Sequence, residues 1–241
     1  MVELILVRHG ESVGNVAAAR AYDDGAETVD VACRDADVPL SDTGAEQSRA
    51  LGDGLRGLPA APDAVWCSPY VRAQETARIA LESAGLDLPI RLDERLRDRE
   101  LGVLDRLTMR GVQARYPEEA ERRRWHGKFY HRPPGGESWA DVALRLRTLI
   151  PELDRVATGQ RVLVVCHDAV VLLIRYICEH LREHDVLELT SGDSVRNVSI
   201  TRLVRVEEHR WELRGFNDVS HLRDEPAPVT EHSGAPDVHP R

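Results

Sequence analysis

Apolar residues along the chain gather into short runs, and several of these runs stop at a residue capable of chemistry. Leu4-Ile5-Leu6-Val7 is a continuous apolar stretch of strand length that ends on Arg8 and His9. Such a run suits a strand covered on both faces of a mostly parallel sheet. Ala64-Val65-Trp66-Cys67 runs into Ser68-Pro69 in the same way, and Val162-Leu163-Val164-Val165-Cys166 into His167-Asp168. Helical patterns lie between them. Thr43-x-x-Glu46 predicts a capping box that opens a helix to about Leu58, and Tyr70 to Ala84 predicts a second, closed by Gly85. A third spans Ser138 to about Ala157, with Val142, Leu146, Leu149, Ile150 and Leu153 at helical spacing, and a fourth spans Ala169 to about Leu181. Asn197 to Val206 and Arg210 to Phe216 alternate as an edge hairpin would.

Strands alternating with helices predict an α/β fold, a three-layer αβα sandwich around a mostly parallel sheet. One domain is expected over 1–217. The stretch from about Asp218 to Arg241 is rich in proline and poor in apolar residues, which predicts a loosely packed tail. In open α/β sheets ligands bind beyond the carboxyl ends of the strands, where this pattern sends Arg8, His9, Ser68 and His167.

Composition narrows the classes of function. With 241 residues, 42% hydrophobic and 30% charged, the chain can bury a core without staples. No run is long enough for a membrane helix and no secretory leader is recognisable, so a soluble cytoplasmic protein is expected. A net charge of −9 without an extended basic surface argues against nucleic acid as a partner. Cys33, Cys67, Cys166 and Cys178 are scattered, without metal or redox spacing, and read as reduced thiols.

Arg8 and His9 place a guanidinium beside an imidazole at a strand end, with Gly10 allowing close backbone approach. A planar cation beside a nucleophile suits phosphate chemistry. Leu6-Val7-Arg8-His9-Gly10-Glu11-Ser12 followed by Asn15 resembles the first motif of the histidine phosphatase (phosphoglycerate mutase-like) superfamily. Three further segments match in order: Asp37-x-Pro39-Leu40-Ser41-x-Thr43-Gly44-x-x-Gln47, Ser68-Pro69-Tyr70-x-Arg72-Ala73-x-x-Thr76-Ala77, and Val164-Val165-Cys166-His167. The resemblance implies a phosphoglycerate mutase-like fold and a small phosphorylated metabolite as partner. It implies that His9 takes the phosphoryl group, that Arg8, Arg72 and Asn15 bind phosphate, and that His167 hydrogen-bonds it. It also implies that a backbone carbonyl fixes the His9 tautomer, that no metal or other cofactor is needed, and that a homodimer is an open possibility. Neighbouring guanidiniums should lower the pKa of His9.

The proton donor departs from the family pattern. Many relatives carry a glutamate two residues after a leucine where Leu96-Arg97-Asp98 stands here, so Asp98 is expected first, Glu100 second and Asp168 third. The segment from about 102 to 137 resembles the family's cap over the pocket, which makes Lys128, Tyr130 and Arg132 candidate substrate contacts. His180 and His184 stand four apart, as a helical metal pair would, but lack a convergent ligand signature. The expected activity is hydrolysis of a phosphate monoester through a phosphohistidine. A mutase-type phosphotransferase is the alternative, and a non-catalytic phospho-ligand module the remote one.

Overall fold

The structure, a computed structural model, describes residues 1–190, 195–207, 210–223 and 228–231. Among the described residues six strands, β1 (Glu3–Arg8), β2 (Ala64–Cys67), β3 (Ile90–Leu92), β4 (Arg161–Cys166), β5 (Ile200–Glu207) and β6 (Arg210–Asp218), pair in the order β3-β2-β4-β1-β5-β6. The first four run parallel, while β5 and β6 add an antiparallel hairpin at one edge. The central strands are fully covered because the pleat sends alternate side chains into opposite layers. Leu4 and Leu6 pack with Leu146, Leu149, Val170 and Leu173, whereas Ile5 and Val7 pack with Leu51, Leu55, Ala73 and Ala77.

Those layers are α6 (Trp139–Val156) with α7 (Asp168–Cys178) on one face, and α2 (Asp42–Arg56) with α3 (Val71–Ala84) on the other. The α/β sandwich and the edge hairpin are as the apolar pattern predicts. The α3 helix closes on Gly85 at φ 70°, in the left-handed region that glycine enters without a Cβ penalty. The α2 helix opens earlier than its sequence suggests. Ser41 caps it by accepting from Gly44 N, and Thr43 lies inside the first turn.

Several elements escape the pattern. The α1 helix (Val13–Asp23) follows β1 directly, opened by a capping box between Ser12 and Asn15. Two helices, α4 (Met109–Arg115) and α5 (Pro117–Tyr130), occupy the expected cap segment, and α5 breaks at Gly127, whose φ of 75° is non-helical. The fourth expected helix ends at Cys178, and α8 (Glu183–Leu189) is separate, so His180 and His184 do not share a helix. His184 instead comes near Asp185 and Glu188 at the surface, and Asp185 is already paired with Arg182. Among the described residues no helix is long and apolar enough to cross a membrane.

Part of the expected tail is well held. Gln47 Nε2 donates to Pro228 O and to Thr230 Oγ1, each at 2.8 Å, and Arg196 pairs with Glu231. The remainder of 224–241 lies outside the described residues.

The N-terminus of α2 presses on the loop after β1. A Cβ on Gly44 would stand 1.9 Å from the Glu11 carbonyl oxygen, and one on Gly10 2.6 Å from the Gly44 oxygen. Backbone meets backbone, so neither side can turn a side chain away. Gly44→Ala is therefore expected to cost about 3 kcal/mol, the upper range for overpacking. Urea unfolding should show a lower midpoint with an unchanged slope. A loss below about 0.5 kcal/mol, the ordinary scatter of surface changes, would mean that the contact relaxes freely.

Candidate active site

Parallel neighbours in register bring the ends of β1, β4 and β2 to one edge: Arg8 pairs with Cys166, and Cys67 with Val165. The residues that follow, His9, His167 and Ser68, share a buried floor. The His9 and His167 rings meet edge to face with centroids 5.2 Å apart.

His9 Nδ1 lies 2.7 Å from the Gly10 carbonyl. A carbonyl only accepts, so Nδ1 carries the hydrogen and Nε2 keeps its lone pair. Arg72 Nε donates to that Nε2 at 3.2 Å. Burial first, then the charges of Arg72, His167 and Arg8, hold the His9 pKa well below the usual imidazole value, with the Gly10 bond opposing weakly. A neutral, oriented imidazole is the form a nucleophile requires.

Arg72 is buried in the first turn of α3, and its donors are spread over three partners. Nη1 and Nη2 reach the two Asp35 carboxylate oxygens at 3.0 and 3.2 Å, and Nη2 also reaches Asp98 Oδ2 at 3.2 Å. Asp98 Oδ2 stands 3.3 Å from His167 Nδ1. Burial opposes ionisation of Asp98, but His167, Arg72 and the Arg99 amide together hold its carboxyl well below the usual carboxylate range. Burial lowers the pKa of His167 despite the nearby Asp98, so at neutral pH Arg72 is the charged partner of Asp98 and the Arg99 amide a neutral donor to it. Ser68 Oγ accepts from Tyr70 N at 3.3 Å and meets His167 Nε2 at 2.8 Å. The hydroxyl hydrogen is thereby available to Nε2, which leaves Nδ1–H directed toward Asp98; this tautomer is assigned from the network.

Asp98 is held from behind. Arg145 Nη2 of α6 donates to the Asp98 carbonyl at 3.1 Å. Glu100 is placed otherwise: its backbone is bonded to Glu137 on both sides, and its exposed side chain accepts from Gly102 N at 3.4 Å. Asp168 starts α7 and accepts from Ala169 N at 2.7 Å. Of the three candidate donors, Asp98 is the one in contact with both His167 and Arg72.

Arg8 is buried and donates from Nη1 to the Val195 carbonyl. Asn15 uses its Oδ1 to accept from Ser12 N in the α1 cap, so only its Nδ2 can offer a donor to an anion. Lys128 Nζ sits 4.9 Å from the Trp139 ring centroid. Burial, then the charges of Arg123 and Arg99, bring the Lys128 pKa down to about 8, with Asp168 opposing. Burial and Arg99 likewise bring Arg123 down to about 10. The cap thus contributes two half-buried cations, Lys128 and Arg123, of which Lys128 is an expected substrate contact.

Tyr130 and Arg132, expected to face the pocket, are engaged elsewhere. Tyr130 is exposed and donates to Glu183, while Arg132 Nε bonds Asp141 Oδ2 at 2.7 Å in the α6 cap. The break at Gly127 resets the helical phase, which carries Tyr130 outward. The sequence does not mark Asp35, because nothing in Arg34-Asp35-Ala36-Asp37 distinguishes a ligand of Arg72 from a solvated loop.

Comparison with known proteins agrees with this geometry. The model of the histidine phosphatase superfamily (branch 1) matches residues 4–219. A 2,3-bisphosphoglycerate-dependent phosphoglycerate mutase 2 of Gloeobacter violaceus is 33% identical over 192 residues, 77% of this chain and 80% of its own. Among solved structures, mycobacterial glucosyl-3-phosphoglycerate phosphatase is 28% identical with a TM-score of 0.70, covering 90% of this chain and 98% of its own. YhfR of Bacillus stearothermophilus is 25% identical with a TM-score of 0.73, covering 92% and 100%.

Proposed function

The chain belongs to the histidine phosphatase superfamily, and on that premise we propose that it is a metal-independent phosphatase hydrolysing a small phosphate monoester through a phosphohistidine on His9. The observation that carries this reading is the neutral His9, with its tautomer fixed by Gly10 O and its Nε2 lone pair 3.2 Å from Arg72 Nε. Phosphate monoesters are so inert that enzymes lower the barrier by up to about 28 kcal/mol, so nucleophile, fixed charge and proton must act together.

In the proposed reaction the phosphoryl group enters between the imidazoles and takes the Arg72 donors from His9 and from the carboxylates, with Arg8 and the Asn15 amide as further phosphate ligands. His9 Nε2 forms a bond to phosphorus while the bond to the alcohol oxygen breaks. Asp98 delivers a proton to that oxygen. A phosphate dianion beside Arg72 offsets the charge that keeps Asp98 ionised, which raises its pKa and lets it carry the proton. Water then attacks phosphorus, Asp98 takes its proton, and the nitrogen–phosphorus bond breaks to release inorganic phosphate. The cations Lys128, Arg123 and Arg99 favour a leaving alcohol that bears a second acidic group.

Those same cations fit a sugar acid phosphate, so a mutase-type transfer remains the second reading, favoured by the name of the Gloeobacter violaceus relative. Phosphate release from a panel of phosphorylated metabolites, in the presence of chelator and including 3-phosphoglycerate with a trace of its bisphosphate, separates them. Release supports the phosphatase, isomer formation without release supports the mutase, and no reaction leaves only a binding module.

Asp98→Asn tests the donor. Its rate on an alkyl phosphate should fall by about 10²–10⁴-fold, the usual worth of general acid catalysis, and far less on an activated aryl phosphate. Equal losses on both substrates would rule out Asp98 as the acid.

A further inference from the structure

Two peptide planes follow the nucleophile, and each is gripped at both edges. In the His9–Gly10 plane, the carbonyl accepts from Asn197 Nδ2 at 2.9 Å and the N–H donates to Thr76 Oγ1 at 3.0 Å. In the Gly10–Glu11 plane, the carbonyl accepts from His9 Nδ1 at 2.7 Å and the N–H donates to Gln47 Oε1 at 2.9 Å. Gly10 joins the planes without a Cβ to restrict it, so the bonds around the loop must set its conformation.

Gln47 and Asn197 are both fully buried. Each ends in a primary amide whose two sides have nearly the same shape but opposite hydrogen-bonding sense. The grip works only if Gln47 turns its oxygen, and Asn197 its NH2, toward the loop. Thr230 links the two amides, passing to Asn197 the sense that the accept-only Pro228 carbonyl imposes on Gln47. Its Oγ1 accepts from Gln47 Nε2 at 2.8 Å and donates to Asn197 Oδ1 at 3.0 Å. Pro228 O takes the other Gln47 hydrogen at 2.8 Å, and Asn197 N donates to Thr230 O at 3.2 Å. A reversed Gln47 would set its NH2 against the Glu11 N–H, and a reversed Asn197 its oxygen against the His9 carbonyl. A buried clash of that kind forfeits a hydrogen bond and leaves a polar group unsatisfied.

We propose that Thr230 is a positioning residue for His9: its hydroxyl couples the two amides that hold the peptides on either side of Gly10, whose carbonyl orients the imidazole. The segment Pro228–Glu231, beyond the last strand, is on this view part of the catalytic unit. The inference rests on His9 being the nucleophile and extends that reading to a residue far outside the four sequence motifs.

Thr230→Val keeps the shape and removes the hydroxyl, and Thr230→Ser keeps the hydroxyl. In the full chain, with p-nitrophenyl phosphate as the probe, phosphoryl transfer to His9 in Thr230→Val should slow by about tenfold, since small displacements of a reacting group cost one to two orders of magnitude. KM should stay within about twofold and the melting temperature within a few degrees, while Thr230→Ser returns the rate to within about twofold of wild type. A Thr230→Val enzyme as fast as wild type overturns the proposal, as does an equal loss in both variants or a loss that tracks unfolded protein. Wild-type turnover without any phosphohistidine is a distinct failure, that of the nucleophile reading, and is seen before a variant is compared.

Discussion

His9→Ala should leave a folded protein with turnover reduced by about 10⁴-fold or more, since removing a covalent nucleophile typically costs several orders of magnitude. The imidazole contributes one buried ring to the floor of the site, and its loss removes the bonds to Gly10 O and Arg72 Nε without opening either apolar layer. Thermal unfolding should therefore shift by only a few degrees, about what 1 kcal/mol produces in a domain of this size. Quenching wild type with a slowly hydrolysed substrate should trap an acid-labile phosphoenzyme that the variant cannot form. Activity within tenfold of wild type, or a phosphoenzyme that survives in the variant, would remove His9 from the nucleophile's place.

Arg72→Met should lower kcat/KM by about 10³-fold, the upper range for deleting one preorganised donor to a charged transition state. It should also change the pH profile in a definite direction. In the folded protein Arg72 helps to depress the His9 pKa, so wild-type His9 stays neutral well below the ordinary imidazole value and the acid limb of kcat/KM lies correspondingly low. Removing the guanidinium removes one cause of that depression. The His9 pKa rises, and the acid limb moves up toward pH 6.5, although burial still holds it lower. A limb that stays in place while the rate falls would mean that Arg72 acts on the phosphate alone. A limb that moves down would contradict the electrostatics altogether.

The sequence exposes the fold where burial is two-sided. The runs in β1, β2 and β4 are apolar without alternation because helices cover both faces, and their short length tells them from buried helix segments. It hides elements whose stability comes from tertiary contacts. The α1 helix is alanine-rich without a marked apolar stripe, β3 has one half-buried and two exposed residues, and half of the α5 residues are charged. The site divides similarly. Arg8, His9, Arg72, Asp98 and His167 sit in motifs or next to strand ends, and their positions follow from local order. Asp35 and Thr230 act through partners 37 and 183 residues away, Arg72 and Gln47 respectively. A single polar residue in a loop carries no mark of such a partner. The phase change at Gly127 is likewise invisible in spacing, and with it the outward turn of Tyr130.

On the proposed reading, the two-oxygen hold of Asp35 on Arg72 makes phosphate capture a competition rather than an addition. A tethered carboxylate presents itself at an effective concentration in the millimolar range or above, and any free anion must outcompete it for the same guanidinium. The apparent affinity of a ligand is multiplied by the fraction of time Arg72 is released, as for any site with a self-occluded ground state. Singly charged carboxylates gain little from such an exchange, because they replace one monoanion with another. A phosphate dianion gains the second charge, which is felt by Arg72, Arg8 and the neighbouring imidazoles together. In the proposed reaction the internal rival would thus act as a filter on charge, passing phosphate esters in a solution crowded with monovalent acids.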